Sequence, residues 1–428
     1  MRRILTNAPD KCDAHDFIGN DGERNMTRTR DWRIGVVTFP ITEEAAYTPI
    51  SNLIQMLHSI SEEIYLVTGN KGLLFFKSER GVKSYGIDHQ LGRQGIQRIL
   101  GFIWTQLRLT YLVARLSRNV DVWVFFMGGD VLFLPMFAAR VLRRKVIFDL
   151  PSSSLHIHQF RTNRSIAQLI KADSRFLSTV RNGFDTKVIE LLFRLNCITA
   201  NRIVVYAKSI INEWTLDSYS QRILIANHHF LNLEHFEIKN RYPTRRKVVG
   251  YVGRLNYEKG IQLFIESIPE VLRLAPELEF LVVGDGPARG WVEEEIRKTG
   301  LESIVKLAGW APHSELPFFL NQMRLVVLPS LTEGLPNVIL EAMACGTPVL
   351  ATAVGAVSEI IVDGKTGFII KNKTPKSIAA SIVEALKNPE IVAIALNARK
   401  LVENEFTFEK AVERYRLVLE SLGGTVSS

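Results

Sequence analysis

Cysteine is scarce: Cys12, Cys197 and Cys345 are the only three in 428 residues. They are too few and too scattered for a disulfide framework or a zinc ribbon, and their usage fits a reducing compartment. Long apolar runs are also missing. An uncharged stretch such as Ala342–Ser358 reaches 17 residues but is broken by Gly346, Pro348 and Gly355, whereas a membrane span needs about 20 apolar residues. Arg2 and Arg3 are not followed by an apolar segment, so no signal peptide is expected. With 46% hydrophobic and 23% charged residues, the chain is not disordered, collagenous or fibrous. Positive charge is what it has in excess. Lys plus Arg is 53 against 44 Asp plus Glu, a net charge of +9, which points to anionic partners: nucleic acid, a membrane surface or phosphorylated substrates. No recognised nucleic-acid module accompanies that charge, and the basic residues are not interleaved with aromatics on one strand face, so nucleic acid is set aside.

The length suggests about two to three domains. Residues 1–31 are polar with almost no apolar clusters, and are expected to be a disordered extension; Met26 is an alternative start. Strand-like apolar runs begin at Arg33–Phe39 and recur at Glu63–Thr68, Val122–Phe126, Lys145–Leu150 and Arg202–Tyr206. Helical patterns lie between them, among them Thr48–Ser59, Gln97–Leu116 and Val131–Leu142. Such alternation predicts βαβ units and a parallel sheet. A polar, Pro-containing stretch over 236–247 reads as a linker. A second series follows, with strands at Val248–Val252, Glu279–Val283, Ile304–Leu307, Arg324–Leu328, Pro348–Ala351 and Gly367–Ile370. The expected fold is α/β, with two Rossmann-like doubly wound parallel-sheet domains over 32–235 and 248–402. An amphipathic helix within 403–424 is expected to return to the first domain.

Two segments carry chemistry. In the first, a strand ends near Leu328, a loop holds Glu333 and Gly334, and a helix runs from about Pro336 to Cys345, stopped by Gly346. Proline in the first turn and glycine after the last are helix punctuation. Ligands of such sheets sit beyond the carboxyl ends of the strands, and a helix N-terminus there suits an anion. Glu333 before that helix and Glu341 within it could accept vicinal hydroxyls. In the second segment, a strand ends at Val252 and a loop containing Gly253 delivers Arg254 and Lys259. An Arg and a Lys together can neutralise a leaving diphosphate without a metal.

These segments, with the turn Gly284-Asp285-Gly286-Pro287 and the run Gly346-Thr347-Pro348-Val349, resemble the retaining GT-B-fold glycosyltransferases of glycosyltransferase family 4, the glycosyl transferases group 1, over roughly 245–400. The resemblance implies an enzyme that moves a hexose from a nucleotide diphosphate sugar to a glycan or lipid-linked acceptor. It implies retention and no metal or other cofactor; no Asp-x-Asp triplet occurs. It assigns the diphosphate to Arg254 and Lys259 and the ribose hydroxyls to Glu341. The transferred sugar goes to Glu333 and to the backbone of Gly334, Leu335, Pro336 and Asn337, which makes 248–402 the donor domain and 32–235 the acceptor side. Alternatives are a nucleotide-sugar epimerase of similar fold and a non-catalytic nucleotide-sugar-binding homologue.

The first domain departs from the family. Its first βα loop, Phe39–Tyr47, has no glycine, and Pro151 follows the strand Lys145–Leu150 where members often have a histidine. His156 and His158, a few residues on, are the acceptor-side candidates. Asn227-His228-His229 shows no third metal ligand, His313 reads as a surface loop residue, and Trp310 either lines the base pocket or packs in the core. The helix Gln97–Arg118 sets arginines beside apolar and aromatic residues, and more basic residues follow from Arg161 to Arg181. That pattern suits an anionic headgroup interface. The expected location is cytoplasmic, peripheral at the inner face of the membrane.

Overall fold

The computed structural model describes residues 32–40, 47–77, 79–88, 96–151 and 183–423. The expected extension 1–31, most of the first βα loop, the candidates His156 and His158 and the basic run from Arg161 to Arg181 lie outside these residues.

The first half alternates β1 (Ile34–Thr38), α1 (Tyr47–His58), β2 (Ile64–Gly69), α2 (Asn70–Phe76), β3 (Val82–Ile87), α3 (Ile96–Leu116), β4 (Val122–Phe126), α4 (Phe133–Val141), β5 (Lys145–Leu150), α5 (Gly183–Thr199), β6 (Arg202–Val205), α6 (Lys208–Glu213) and β7 (Ile223–Ile225). Its strands are parallel in the order β3-β2-β1-β4-β5-β6-β7. The second half comprises β8 (Val248–Val252), α7 (Ile261–Leu274), β9 (Glu279–Val283), α8 (Arg289–Lys298), β10 (Val305–Gly309), α9 (Leu316–Leu320), β11 (Met323–Leu328), α10 (Asn337–Ala344), β12 (Val349–Ala351), α11 (Val357–Ile360), β13 (Phe368–Ile369), α12 (Pro375–Lys387), α13 (Ile391–Glu405) and α14 (Phe408–Glu420). Its parallel order is β10-β9-β8-β11-β12-β13.

The central strands β1, β4 and β8 are buried at every position, as parallel strands covered on both faces must be. The helices bury one face each. In α7, Ile261, Phe264, Ile265, Ile268 and Val271 recur at intervals of three and four and face the second core, the spacing of an amphipathic helix. Both sheets reverse strand order beside their first strand, between β1 and β4 and between β8 and β11. Crevices for ligands open at such switch points, at the carboxyl ends of the strands.

The connecting stretch 236–247 is not a loose tether. Arg245 is buried and donates to the carbonyls of Met323 (3.1 Å) and Cys345 (2.7 Å) and to Thr347 Oγ1 (2.6 Å). A guanidinium goes into the interior when its donors are met in this way. A second connection runs the other way. The Leu231 N–H donates to the Phe406 carbonyl at 2.9 Å, and α14 lies against α1 of the first half. From α14, the Tyr415 hydroxyl donates to Asp149 at 2.6 Å, at the carboxyl end of β5. Arg414 donates to the carbonyls of Asn227 (3.3 Å) and His229 (3.4 Å).

Candidate functional site

The site is assembled from the ends of β8 and β11, which pair side by side. Gly253 leaves β8 with φ 151°, a left-handed value that favours glycine, and the exposed Arg254 follows. A short 3₁₀ turn, Tyr257–Lys259, then leads to Gly260 at φ 70° and into α7. A Cβ on Gly260 would lie 2.0 Å from the Pro329 carbonyl oxygen. Only glycine allows the turn to sit this close to the end of β11. That approach carries the Lys259 ammonium to Glu333, at 2.6 Å from Oε2. Ser330 Oγ donates to the other carboxylate oxygen at 2.8 Å. The Glu333 side chain is only 8% exposed against 33% for Lys259, so the carboxylate is held from one side while the ammonium keeps a wet face. Tyr251, buried beneath, donates to the Arg254 carbonyl at 2.9 Å. Burial, with the charges of Glu333 and Glu258, raises its pKa well above the ordinary phenol value.

α10 begins at Asn337, and Pro336 is its extended N-cap residue rather than its first helical one. No side chain caps this end, so its first N–H groups point into the crevice. Glu341 is buried in the second turn of the helix. It accepts from His313 Nε2 at 2.9 Å. His313 is exposed, as its reading as a surface residue expects, and is at the same time held by Glu341. Its ring is half exposed and touches Phe236, with centroids 5.2 Å apart. Burial works against the charged imidazolium, but the hydrogen bond and charge of Glu341 outweigh it, and the His313 pKa is raised. Trp310, at the end of β10, is 68% exposed and so is not core packing.

The first half meets this crevice directly. A Cβ on Gly334 would lie 1.9 Å from the Pro151 carbonyl oxygen, just past β5. Ser209 Oγ donates to the Gly355 carbonyl at 2.9 Å, the Ser209 N–H donates to Glu359 at 2.6 Å, and the Gly355 N–H donates to Glu213 at 3.0 Å. Gly355 in turn lies against the carbonyls of Glu333 and Gly334. Arg254, Lys259, Glu333, Glu341 and the stretch Gly334–Asn337 are thus gathered around the ends of β8 and β11. Ser330, Ser209 and Glu213 join them without having been singled out from sequence, as does His313, which the sequence marks only as a surface loop residue. Ser330 sits in the segment already marked; the other three are distant in sequence and carried no local signal.

Residues 234–403 match the model of the family described as Glycosyl transferases group 1. The second sheet lies within the stretch that matches this family. The chain is similar to an alpha-D-kanosaminyltransferase of Streptomyces kanamyceticus, 33% identical over 44% of this chain and 49% of that protein. A 2-deoxystreptamine N-acetyl-D-glucosaminyltransferase of Niallia circulans is 24% identical over 68% of this chain and 73% of its own. The chain spans about half the length of the first curated relatives it matches. Among solved structures, Anabaena HepE in complex with UDP and glucose superposes with a TM-score of 0.68 at 17% identity, covering 91% of this chain and all of that one. Sucrose-phosphate synthase from Thermosynechococcus elongatus gives 0.65 at 18% identity, over 91% and 99%. The two sheets with their helices therefore form the two-domain GT-B fold.

Proposed function

We propose that this protein is a retaining glycosyltransferase that moves a hexose from a nucleoside diphosphate sugar to a glycan or lipid-linked acceptor without a metal ion. The observation that carries the reading is the meeting of the Lys259–Glu333 pair, the uncapped start of α10 and buried Glu341 at the switch point of a group 1 domain. Arg254 and Lys259 balance the charge that grows on the departing diphosphate. Glu341 accepts from the ribose hydroxyls, exchanging its His313 partner for the diol. Glu333 and the backbone of Gly334–Asn337 hold the hexose. The bond from the anomeric carbon to the phosphate oxygen breaks, and the acceptor oxygen bonds to the same face. The acceptor's proton passes to a phosphate oxygen. That HepE was solved with UDP and with UDP-glucose makes uridine the first base to test.

A thermal-shift panel of UDP, GDP, ADP and TDP with their sugars tests the donor. Saturation at about 100 times Kd adds about 2.7 kcal/mol of stability. Glu341→Gln should weaken the bound nucleotide about 10- to 100-fold, the loss of a charged hydrogen-bond partner. Transfer should survive EDTA and give a product with the donor's anomeric configuration. Strict dependence on a divalent ion, or rearranged sugar formed without an acceptor, defeats this reading, and the second result favours an epimerase.

For the acceptor side, we infer peripheral docking on an anionic membrane, at the inner face in the cytoplasm. Among the described helices none is long and apolar enough to cross a membrane. Yet α3 holds out Ile103, Trp104, Leu107 and Tyr111, the aromatics at 57% and 64% exposure, and neighbouring α4 adds Phe137 and Val141. Neither helix contains an acidic residue, while Arg108, Arg115 and Arg140 are exposed on them. Apolar and basic groups together on one face suit an anionic headgroup layer.

A further inference from the structure

Two side chains of the first half hold one residue of the second by both of its backbone polar groups. Ser209 and Glu213 stand four apart on α6, on one face of the helix, and α6 lies against α11. Ser209 Oγ donates to the Gly355 carbonyl at 2.9 Å, and the Gly355 N–H donates to Glu213 Oε2 at 3.0 Å. The Ser209 N–H donates to Glu359 Oε1 at 2.6 Å, which pins the start of α6 to α11.

Gly355 is where that grip reaches the crevice. It is buried, with φ 54°, a left-handed value that favours glycine. A Cβ there would lie 2.2 Å from the Glu333 carbonyl oxygen and 2.7 Å from that of Gly334. The Ala356 N–H, next in the chain, donates to the Gly334 carbonyl at 2.8 Å, and the Thr352 hydroxyl donates to the Ser330 carbonyl. The segment 352–356 and the loop 330–334 are thus tied together, and at Gly355 the first half holds them both.

Satisfying Gly355 does not by itself require this arrangement. Its carbonyl already takes Ser358 Oγ from its own half at 3.2 Å, so the bond from Ser209 adds direction rather than a missing partner. The bond to Glu213 is charge-assisted, the stronger kind. Bonds to the N–H and the carbonyl of one residue fix the two peptide planes that flank it. They thereby fix how its Cα bears on the Glu333 and Gly334 carbonyls. Apolar burial could join the two halves, but it would not set the angle of these planes.

We propose that Ser209 and Glu213 are positioning residues for the transferred sugar: through Gly355 they set the height of the Glu333 and Gly334 backbone against the hexose. The inference rests on the reading above that this loop holds the sugar, and it adds which side chains of the other half keep the loop in place. The nucleotide groups Arg254 and Glu341 sit on other segments, at the end of β8 and within α10. Binding of the nucleotide without its sugar therefore reports whether an effect is confined to the sugar.

The test compares Ser209→Ala, which removes the donor, with Ser209→Thr, which keeps it. It also compares Glu213→Ala with Glu213→Gln, which keeps an acceptor without the charge. Ser209 is half-buried and Glu213 exposed, so these variants should fold. Binding of UDP and of UDP-glucose is measured alongside kcat and KM. Ser209→Ala should bind UDP within about twofold of wild type, while UDP-glucose affinity and kcat/KM fall about tenfold, equivalent to ~1.4 kcal/mol. Ser209→Thr should recover most of that loss, and Glu213→Gln should bind UDP-glucose more tightly than Glu213→Ala. Equal losses for UDP and UDP-glucose in Ser209→Ala, no loss in that variant, or no difference between the conservative and the alanine variants overturn the proposal. If wild type binds UDP-glucose and transfers its sugar while the variants match it, only the role of Ser209 and Glu213 falls. If wild type binds no nucleotide sugar at all, the transfer reading falls and this one with it.

Discussion

Asp149, the last residue but one of β5, is fully buried, one oxygen taking the Tyr415 hydroxyl and the other unpartnered. Burial pushes its pKa up to about 7 from 3.8, although the Tyr415 and Tyr206 hydroxyls pull it down. The folded protein therefore binds this proton more tightly than the unfolded chain. The stability this group contributes is fully present below about pH 4 and is lost as pH rises through about 7. Asp149→Asn keeps the acceptor for Tyr415 and removes the titration. We expect its melting temperature to fall less than that of wild type between pH 5 and 8, and identical slopes in a calorimetric series would contradict this. At this scale the sequence was informative where a residue's neighbours in the chain define its setting. Glu333, Glu341, Arg254 and Lys259 stand out because strand ends and helix punctuation surround them. Asp149 and His313 did not stand out, because their partners come from afar: Tyr415 lies 266 residues from Asp149, and Glu341 lies 28 from His313.

The elements were legible where burial is complete. β1, β4 and β8 are continuous apolar runs because both their faces are covered. β3 was not read. Val82-Lys83-Ser84-Tyr85-Gly86-Ile87 lies at the sheet edge with most positions half-buried or exposed, so neither a continuous apolar run nor a clean alternation marks it. Loops differ again, since backbone closeness rather than side-chain type decides what they tolerate. Gly334 shows this: its neighbour is the Pro151 carbonyl, at 1.9 Å from where a Cβ would go. Gly334→Ala must push the loop and the end of β5 apart, while both sheets keep their cores. We expect a loss of at least about tenfold in kcat/KM with a melting temperature within a few degrees of wild type. Full activity in a steady-state assay would show that the loop tolerates the displacement.

For the whole molecule, net positive charge and the exposed α3–α4 face act together. We expect flotation with anionic vesicles but not neutral ones at low salt. The binding should weaken as the screening length falls from about 10 Å at 0.1 M to about 3 Å at 1 M. Arg108→Glu with Arg140→Glu should reduce it at low salt. Equal binding to neutral vesicles would show that apolar burial, and not the basic residues, drives the docking. The architecture of two sheets was readable from the alternation of strands and helices. The amphipathic last helix already suggested a return to the first half, but the bracing of Gly355 and Glu359 by Ser209 and Glu213 did not show, because those partners lie 142 to 150 residues apart in the chain.

The return of α14 to the first sheet has a consequence for how the protein is made. Asp149, α1 and the segment after β7 all wait for residues from Phe408 onward. At about 5–20 residues per second on the ribosome, roughly 10 to 40 s separate the synthesis of β7 from that of α14. During that interval the second sheet is synthesised in full, while the half made before it still lacks a wall. The order of maturation thus runs against the order of translation: the domain that emerges second closes first. The one that emerges first stays open, its buried carboxyl in water, in need of shelter from its neighbours on the polysome.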